Sequence, residues 1–182
     1  MWLYIVIVIA ALILIYGFVV FNNLVKQNNK VKEAFSTMDV YLKKRWDLIP
    51  NLVETVKGYA KHESDIFKEV TEIRSNAYDS MSDEQKIKTN EQLTNGISKI
   101  MAIAEAYPEL KANDNFLNLQ NSLTSVEDEI AQSRKYYNAV VRDFNNLVEM
   151  VPSNIVAKIT GFKTKSMFEV DSNEKENVKV EL

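Results

Sequence analysis

The first 25 positions of the chain contain no charged side chain, and positions 2–21 form an almost uninterrupted apolar run that ends before Asn22 and Asn23. The run WLYIVIVIAALILIYGFVVF, residues 2–21, forms as a helix a rod of about 30 Å, which matches the hydrocarbon core of a bilayer. Trp2 and Tyr4 lie near one end, and Tyr16 and Phe21 lie toward the other, as interfacial aromatic side chains do. We therefore expect residues 1–25 to be a transmembrane anchor.

A cleaved secretory signal is the competing interpretation of this run. Signal peptides place basic residues before a shorter apolar core and small residues at the cleavage site. No Lys or Arg precedes the run, and no small-x-small site follows it. The chain also contains no cysteine to which a lipid anchor could be attached. These features favour an uncleaved anchor.

Lysines on one side of the run predict its orientation. Lys26, Lys30 and Lys32 follow the apolar segment, whereas no basic side chain precedes it. Because positive charge is retained on the cytoplasmic side of membranes, we expect the N-terminus outside the cell membrane and the remaining chain in the cytoplasm.

Beyond the anchor, apolar residues recur with the heptad spacing of helices that pack against one another. Only Arg45 and Glu63 interrupt the first seam, and the apolar spacing continues past Pro50, so we expect a kink there rather than a helix end. The seam consists of Val31, Phe35, Met38, Leu42, Arg45, Ile49, Leu52, Val56, Tyr59, Glu63, Ile66, Val70, Ile73 and Ala77.

Two further long helices are predicted after residue 80. Ser82 is placed to cap the second helix, which should end before Pro108. Asn113 or Asp114 should cap the third helix, and all but one position of its seam is apolar. That seam consists of Phe116, Leu119, Leu123, Val126, Ile130, Ser133, Tyr137, Val140, Phe144, Leu147 and Val151.

The predicted fold is all-α: a transmembrane helix followed by an elongated antiparallel helical bundle of three long helices plus a short C-terminal helix. We assign residues 1–25 to the anchor, 26–162 to the bundle and 163–182 to a polar, flexible tail. Pro152 should end the third long helix, and Gly161 should close the short one. The same seams serve a single chain or an intermolecular coiled coil, so a homo-oligomer stays open.

Composition argues against several classes of function. Without cysteine, the chain forms no disulfide and no thiolate metal site. His62 and Glu63 resemble the start of a zinc-protease helix motif, but position 66 is Ile66 rather than the second histidine. The charge pattern lacks the basic concentration of a nucleic-acid binder. We therefore predict no catalytic residues, metal, cofactor or nucleic-acid partner.

Arg45 and Glu63 are the candidate interhelical polar contacts. Eighteen residues apart on one helix, they would be about 27 Å from each other and could not pair. Each needs a partner on another helix or a place at the edge of the seam. A role in fixing helix register is favoured over a binding role. The connection 105–113 remains open to a binding interpretation and to a purely structural one.

Three segments of the sequence resemble the LemA family. They are residues 43–60 (KKRWDLIPNLVETVKGYA), residues 105–113 (EAYPELKAN) and residues 131–138 (AQSRKYYN), in that order. The similarity runs from about Asn22 to Phe168. Tyr41 stands where the family often has glutamine, and Asp128 stands where it often has asparagine.

The resemblance implies a bacterial single-pass membrane protein with a helical-bundle domain and no established activity. Some relatives look like accessory proteins of membrane organelle formation. With the tethered bundle and the lack of catalytic motifs, this leads to one main hypothesis: a membrane-tethered scaffold or adaptor that binds another protein. The alternative is a self-assembling, membrane-organising protein, and an enzyme is the least favoured interpretation.

Overall fold

The computed structural model describes residues 1–75 and 77–168, which are helical apart from their connections and contain no strand. The chain therefore has the predicted all-helical class, with one long apolar helix at its N-terminus. The helices are α1 (Trp2–Tyr59), α2 (Ser64–Ile73), a 3₁₀ turn (Tyr78–Ser80), α3 (Asp83–Glu105), α4 (Pro108–Lys111), α5 (Asp114–Glu149) and α6 (Ser153–Thr160).

The helices form two compact units. One unit, here called the terminal unit, comprises residues 1–31 together with the residues from 137 on. The other, the central unit, comprises residues 32–136.

In the central unit, the heptad seams supply the core. The buried apolar residues of α1 follow the predicted seam as far as Val56, and those of α5 follow it from Phe116 to Ile130. Burial of these side chains is the main stabilising contribution to such a unit. Pro50 lies inside α1, and the helix continues through it. The core of the unit includes Phe35, Met38, Leu42, Ile49, Leu52, Val56, Leu93, Ile100, Phe116, Leu123, Val126 and Ile130.

The first seam ends earlier than its spacing predicts. α1 stops at Tyr59, and α2 begins at Ser64. Gly58 weakens the last turn of α1, because glycine is about 1 kcal/mol less favourable than alanine inside a helix. Asp65 lies in the first turn of α2, where a negative charge favours a helix start. After this break Phe67 is buried instead of Ile66.

Contacts within the central unit define the direction of its helices. Asp39 and Arg45 of α1 contact Lys86 and Asn90 of α3, so both helices run the same way. Arg45 also contacts Glu127 of α5, and Tyr59 accepts a hydrogen bond from Asn113 just before α5, so α1 and α5 are antiparallel.

The predicted antiparallel arrangement of three long helices therefore differs from the structure for α1 and α3. The heptad spacing does not reveal this difference, because the spacing continues past residue 59 although α1 ends there. The chain turns back there, so α2 and the 3₁₀ turn form the returning segment between two parallel helices.

Capping residues mark the helix ends that the sequence predicts. Ser82 Oγ accepts from Gln85 N–H, and the Gln85 side chain accepts from Ser82 N–H, which forms a capping box for α3. Asn113 Oδ1 accepts from Phe116 N–H at the start of α5. Gly161 closes α6 with φ of +80°, a left-handed conformation that glycine adopts without strain.

In the terminal unit, α5 holds the chain that follows α6. Asn145 bonds both backbone groups of Lys165, and Asn138 does the same for Phe168. Phe168 is buried edge-on against Tyr137, at 5.7 Å between ring centroids. Phe168 thus anchors this segment on α5, whereas Met167 is exposed. The predicted tail beyond residue 168 lies outside the described residues.

Close packing of α2 on α3 makes Gly96 sensitive to substitution. A Cβ at Gly96 would lie 2.8 Å from Cγ2 of Val70, which is fully buried. We predict that Gly96→Ala lowers the free energy of unfolding by about 1 kcal/mol, because overpacking of about 1–3 kcal/mol exceeds the gain in helix propensity of about 1 kcal/mol. Urea denaturation of the detergent-solubilised chain, followed by far-UV circular dichroism, measures the change.

Gly58→Ala is the matched control for this substitution. Gly58 is exposed in α1, and a Cβ added there would meet no other atom within 4 Å. The same change there should raise the free energy of unfolding by about 0.5–1 kcal/mol. Equal stabilisation at both glycines would show that Val70 moves aside without cost.

Candidate functional site: an exposed apolar helix and a buried polar cluster

The first turns of α1 form an exposed apolar surface. The helix is long and apolar enough to cross a membrane, and no residue of its most apolar stretch is buried. The predicted anchor residues Trp2, Tyr4, Tyr16 and Phe21 are all exposed, from 38% for Phe21 to 84% for Trp2. Contiguous apolar surface of this extent marks a membrane or interaction site.

Arg45 is the centre of a buried polar cluster in the central unit. Its side chain is 1% exposed and extends from α1 toward α3 and α5. Nη1 donates to Asn90 Oδ1 at 2.7 Å, and Nη2 donates to Thr94 Oγ1 at 3.0 Å. Nε lies 2.8 Å from Glu127 Oε1. One guanidinium therefore connects three helices.

Burial of this charge is costly, and Glu127 offsets only part of the cost. Burial lowers the pKa of Arg45 from 12.5 to about 10, against the opposing effect of the Glu127 carboxylate, and the positive charge of Arg134 lowers it further. The guanidinium nevertheless remains charged at neutral pH. Glu127 is itself 39% exposed, so water shares in stabilising its charge.

The cluster is not fully satisfied by hydrogen bonds. Arg45 Nε and Glu127 Oε1 are close enough for an ion pair, yet the N–H direction misses the carboxylate oxygen, so neither atom has an aligned hydrogen bond. Asn90 Nδ2 is buried and also has no hydrogen-bond partner among the described residues. A partly satisfied network fixes geometry at a cost in stability.

Glu63, the other candidate polar contact, lies apart from this cluster. It is half-buried at the residue before α2, where its side chain makes no capping hydrogen bond. The break after Tyr59 removes it from the helix that carries Arg45. His62 is exposed in the same turn.

A second polar cluster holds the returning segment and has no counterpart among the sequence predictions. Tyr78 Oη donates to Asp39 Oδ1, and Lys86 Nζ contacts Asp39 Oδ2, each at 2.6 Å. Lys86 Nζ also lies 4.7 Å from the centroid of the Tyr78 ring. Burial, and then the hydrogen bond to Asp39, raise the pKa of the Tyr78 hydroxyl well above its usual value of 10.

Contacts of aromatic rings extend this second cluster. The centroid of the Trp46 ring lies 5.3 Å from that of Tyr78, and the Arg74 guanidinium lies over Trp46 at 5.0 Å from its centroid. Cation–π contacts of this kind are worth about 0.5–1 kcal/mol at exposed sites and more when desolvated. In the sequence, Tyr78 and Trp46 are single aromatic residues near charged ones. Such a pattern does not reveal contacts between residues that are distant along the chain, so the sequence did not predict this cluster.

The described residues contain no metal site of the usual kind. Within residues 1–75 and 77–168, no three His, Asp or Glu side chains lie close enough to hold a metal ion. A shallow polar groove lies between α2 and α3, with Glu69 and Lys99 paired at 2.7 Å on its edge.

Comparison with protein families identifies the chain. The family model for the LemA family matches residues 34–182, which is most of the sequence. The chain belongs to the LemA family. The LemA-like segment 43–60 supplies both Arg45 and Trp46 to the two polar clusters, and the segment 131–138 supplies Arg134.

Individual relatives agree with this assignment and are bacterial. Magnetosome protein MamQ 2 of Paramagnetospirillum magneticum is 26% identical over 175 residues, covering 82% of this chain and 64% of the relative. Magnetosome protein MamQ of Magnetospirillum gryphiswaldense is 25% identical over 174 residues, covering 81% and 64%. Protein LemA of Metamycoplasma hominis is 23% identical over 158 residues, covering 86% and 72%. The chain thus spans less than two thirds of the MamQ relatives' length.

Removing the counter-charge of Arg45 should destabilise the LemA-like core. We predict that Glu127→Gln lowers the free energy of unfolding by about 2 kcal/mol, below the roughly 3–5 kcal/mol typical of a broken buried pair, because Glu127 is partly exposed. Thermal and urea unfolding of the full chain in detergent measure the loss.

Glu129→Gln provides the control, since Glu129 is exposed two residues further along α5. It removes the same charge and should change the free energy of unfolding by no more than about 0.5 kcal/mol. Equal effects of the two substitutions would mean that Arg45 does not depend on Glu127.

Proposed function

We propose that this LemA-family protein is a non-catalytic, single-pass membrane protein that acts as an adaptor for another protein. The exposed apolar surface of α1 carries this proposal. An uncharged helix of this length, exposed over its first turns, is stable in hydrocarbon and aggregates in water. Residues 1–25 are the proposed anchor.

The proposed anchor has interfacial aromatic side chains toward both ends. Trp2 and Tyr4 serve the outer interface, and Tyr16 and Phe21 serve the inner one. Lys26, Lys30 and Lys32 follow the span and favour a cytoplasmic location for the domain that comes after it. The N-terminus then lies outside the cell membrane.

For the adaptor surface, we favour the end of the central unit where α1 ends and α5 begins. Tyr59 is exposed, and its hydroxyl accepts from Asn113 Nδ2 at 3.0 Å. Leu117 is exposed one turn along α5 from Asn113. Both lie beside the connection 105–113, whose backbone is held by hydrogen bonds of α4. An exposed tyrosine on a rigid turn suits protein recognition, and Leu117 adds apolar surface beside it.

The relatives named as magnetosome proteins favour a second candidate, membrane organisation by self-assembly. In that case a second copy of this chain occupies the surface around Tyr59 and Leu117. A homo-oligomer and an adaptor differ in the identity of the molecule bound there.

The orientation can be tested with a single thiol, because the chain has no cysteine. Ser80 is exposed at the end of the 3₁₀ turn. In cells that express the full-length Ser80→Cys protein, we expect a membrane-impermeant maleimide to label the new thiol only after lysis, because the domain is cytoplasmic. The wild-type protein gives the background. Labelling of intact cells would place the domain outside and reverse the proposed topology.

The adaptor surface can be tested by site-specific photo-cross-linking. A photoreactive phenylalanine analogue at Leu117 should give one discrete adduct in cells, because the side chain lies in the proposed interface. The same analogue at Ser122, exposed on another side of α5, is the matched control and should give none. Mass spectrometry of the purified adduct identifies the partner.

Two outcomes of this experiment decide against the adaptor. An adduct between two differently tagged copies of the chain would establish self-assembly instead. Equal, diffuse cross-linking from Leu117 and Ser122 would show that this end of the central unit is not a specific interface.

A further inference from the structure

Exposed apolar side chains continue beyond α1 in the terminal unit, at α6 and the residues just before it. Ile155 and Ile159 lie four residues apart, which places them along one side of α6, and Val151 comes just before the helix. All three are exposed, up to 80% for Ile159. Ser153 and Ala157 are buried on the opposite side. The unit therefore leaves one face of α6 uncovered.

This face forms one wall of an open groove of about 830 Å³, and the other wall is the apolar part of α1. The groove follows α1 from Leu12 to Phe21, and its surface is almost entirely apolar. Phe162, just after α6, packs on Phe21 and Phe144 at ring-centroid distances of 6.2 Å and 6.1 Å. These ring contacts hold α6 beside α1.

The length of the groove matches one leaflet of a bilayer. From Leu12 to Phe21 α1 rises about 14 Å, close to half of a hydrocarbon core of about 30 Å. If α1 spans the membrane, the groove lies at the level of the acyl chains, in the leaflet at the Phe21 end of the span.

The chain segments that continue directly from the groove's two walls carry charge of one sign. Residues 22–31 and 150–168 contain five lysines and no Asp or Glu. These lysines are Lys26, Lys30, Lys158, Lys163 and Lys165. An apolar helix face bordered by lysines is typical of interfacial helices that bind anionic lipids. A second copy of the chain would bring the same positive charges to the face and would be repelled.

We propose that α6 is a second membrane-binding element, which lies in the leaflet at the Phe21 end of α1 and accepts the acyl chain of an anionic phospholipid in the groove. This inference rests on the proposed membrane anchor. If it is correct, α6 holds the terminal unit in a fixed position at the bilayer surface, and the lysines of the unit lie among the lipid headgroups.

Depth-dependent fluorescence quenching tests the proposal with the full-length protein. Three single-cysteine variants, Val19→Cys, Ile159→Cys and Ser122→Cys, are labelled with an environment-sensitive fluorophore. They are reconstituted in phosphatidylcholine vesicles, with or without phosphatidylglycerol, in which some acyl chains carry a nitroxide quencher. Val19 is exposed on α1 and reports on the anchor alone, whereas Ser122 lies in the central unit.

We expect quenching at position 159 within about twofold of that at position 19, because interfacial helices bury their apolar face about 5–10 Å into the bilayer. Position 122 should show none. Phosphatidylglycerol should increase quenching at position 159, and the triple substitution Lys158→Gln, Lys163→Gln and Lys165→Gln should abolish that increase.

The alternative outcomes separate the two proposals. Quenching at position 19 without quenching at position 159 would overturn the role of α6 and leave the anchor intact. Absence of quenching at both positions would overturn the anchor as well. Disulfide-linked dimers of Ile159→Cys under mild oxidation would assign the face to a second copy and overturn lipid binding. Quenching unchanged by phosphatidylglycerol would overturn the preference for anionic lipid.

Discussion

The packing of the central unit depends on the burial of one charged side chain. A guanidinium that is 1% exposed must be surrounded by acceptors, and Arg45 obtains them from α3 and α5 together. A shift of either helix by one turn would separate Arg45 from Asn90 or from Glu127 and leave its charge buried without a partner. An apolar side chain at this position would tolerate such shifts more readily, so the arginine favours a single helix register at a cost in stability.

Heptad spacing predicted the buried face of α1 as far as Val56 and that of α5 from Phe116 to Ile130, because apolar periodicity reports directly on the side of a helix that faces the core. It also marked Arg45 as a polar residue within a core seam. It did not predict the partners Asn90 and Thr94, since short polar residues on α3 are equally typical of a solvated face. Nor could it separate α1 from α2, because the apolar spacing continues past Gly58 although the chain reverses.

The contacts that align α1 and α3 could not be predicted from the sequence either, because they join residues that are far apart along the chain. Asp39 pairs with Tyr78 and Lys86, which lie 39 and 47 residues away. No local pattern encodes such a distance. Their pairing depends on the returning segment, whose path is set by the helix break after Tyr59. The direction of α3 relative to α1 follows from that break.

Burial of the seams also bears on the choice between adaptor and self-assembling protein. The apolar seam residues of α1 from Phe35 to Val56 are buried within the chain itself. An intermolecular coiled coil through this seam would therefore have to open the core and expose Arg45 to a new environment.

Association of copies, or binding of another protein, requires a surface that is already exposed. The side chains of Tyr59 and Leu117 meet this requirement in the central unit, and the uncovered face of α6 meets it in the terminal unit. The two surfaces differ in their neighbours. The surface in the central unit lies beside the connection 105–113 and includes a tyrosine hydroxyl. The face of α6 lies beside an apolar helix long enough to span a membrane, and lysines follow it along the chain. This difference favours protein recognition by the central unit and lipid recognition by the terminal unit.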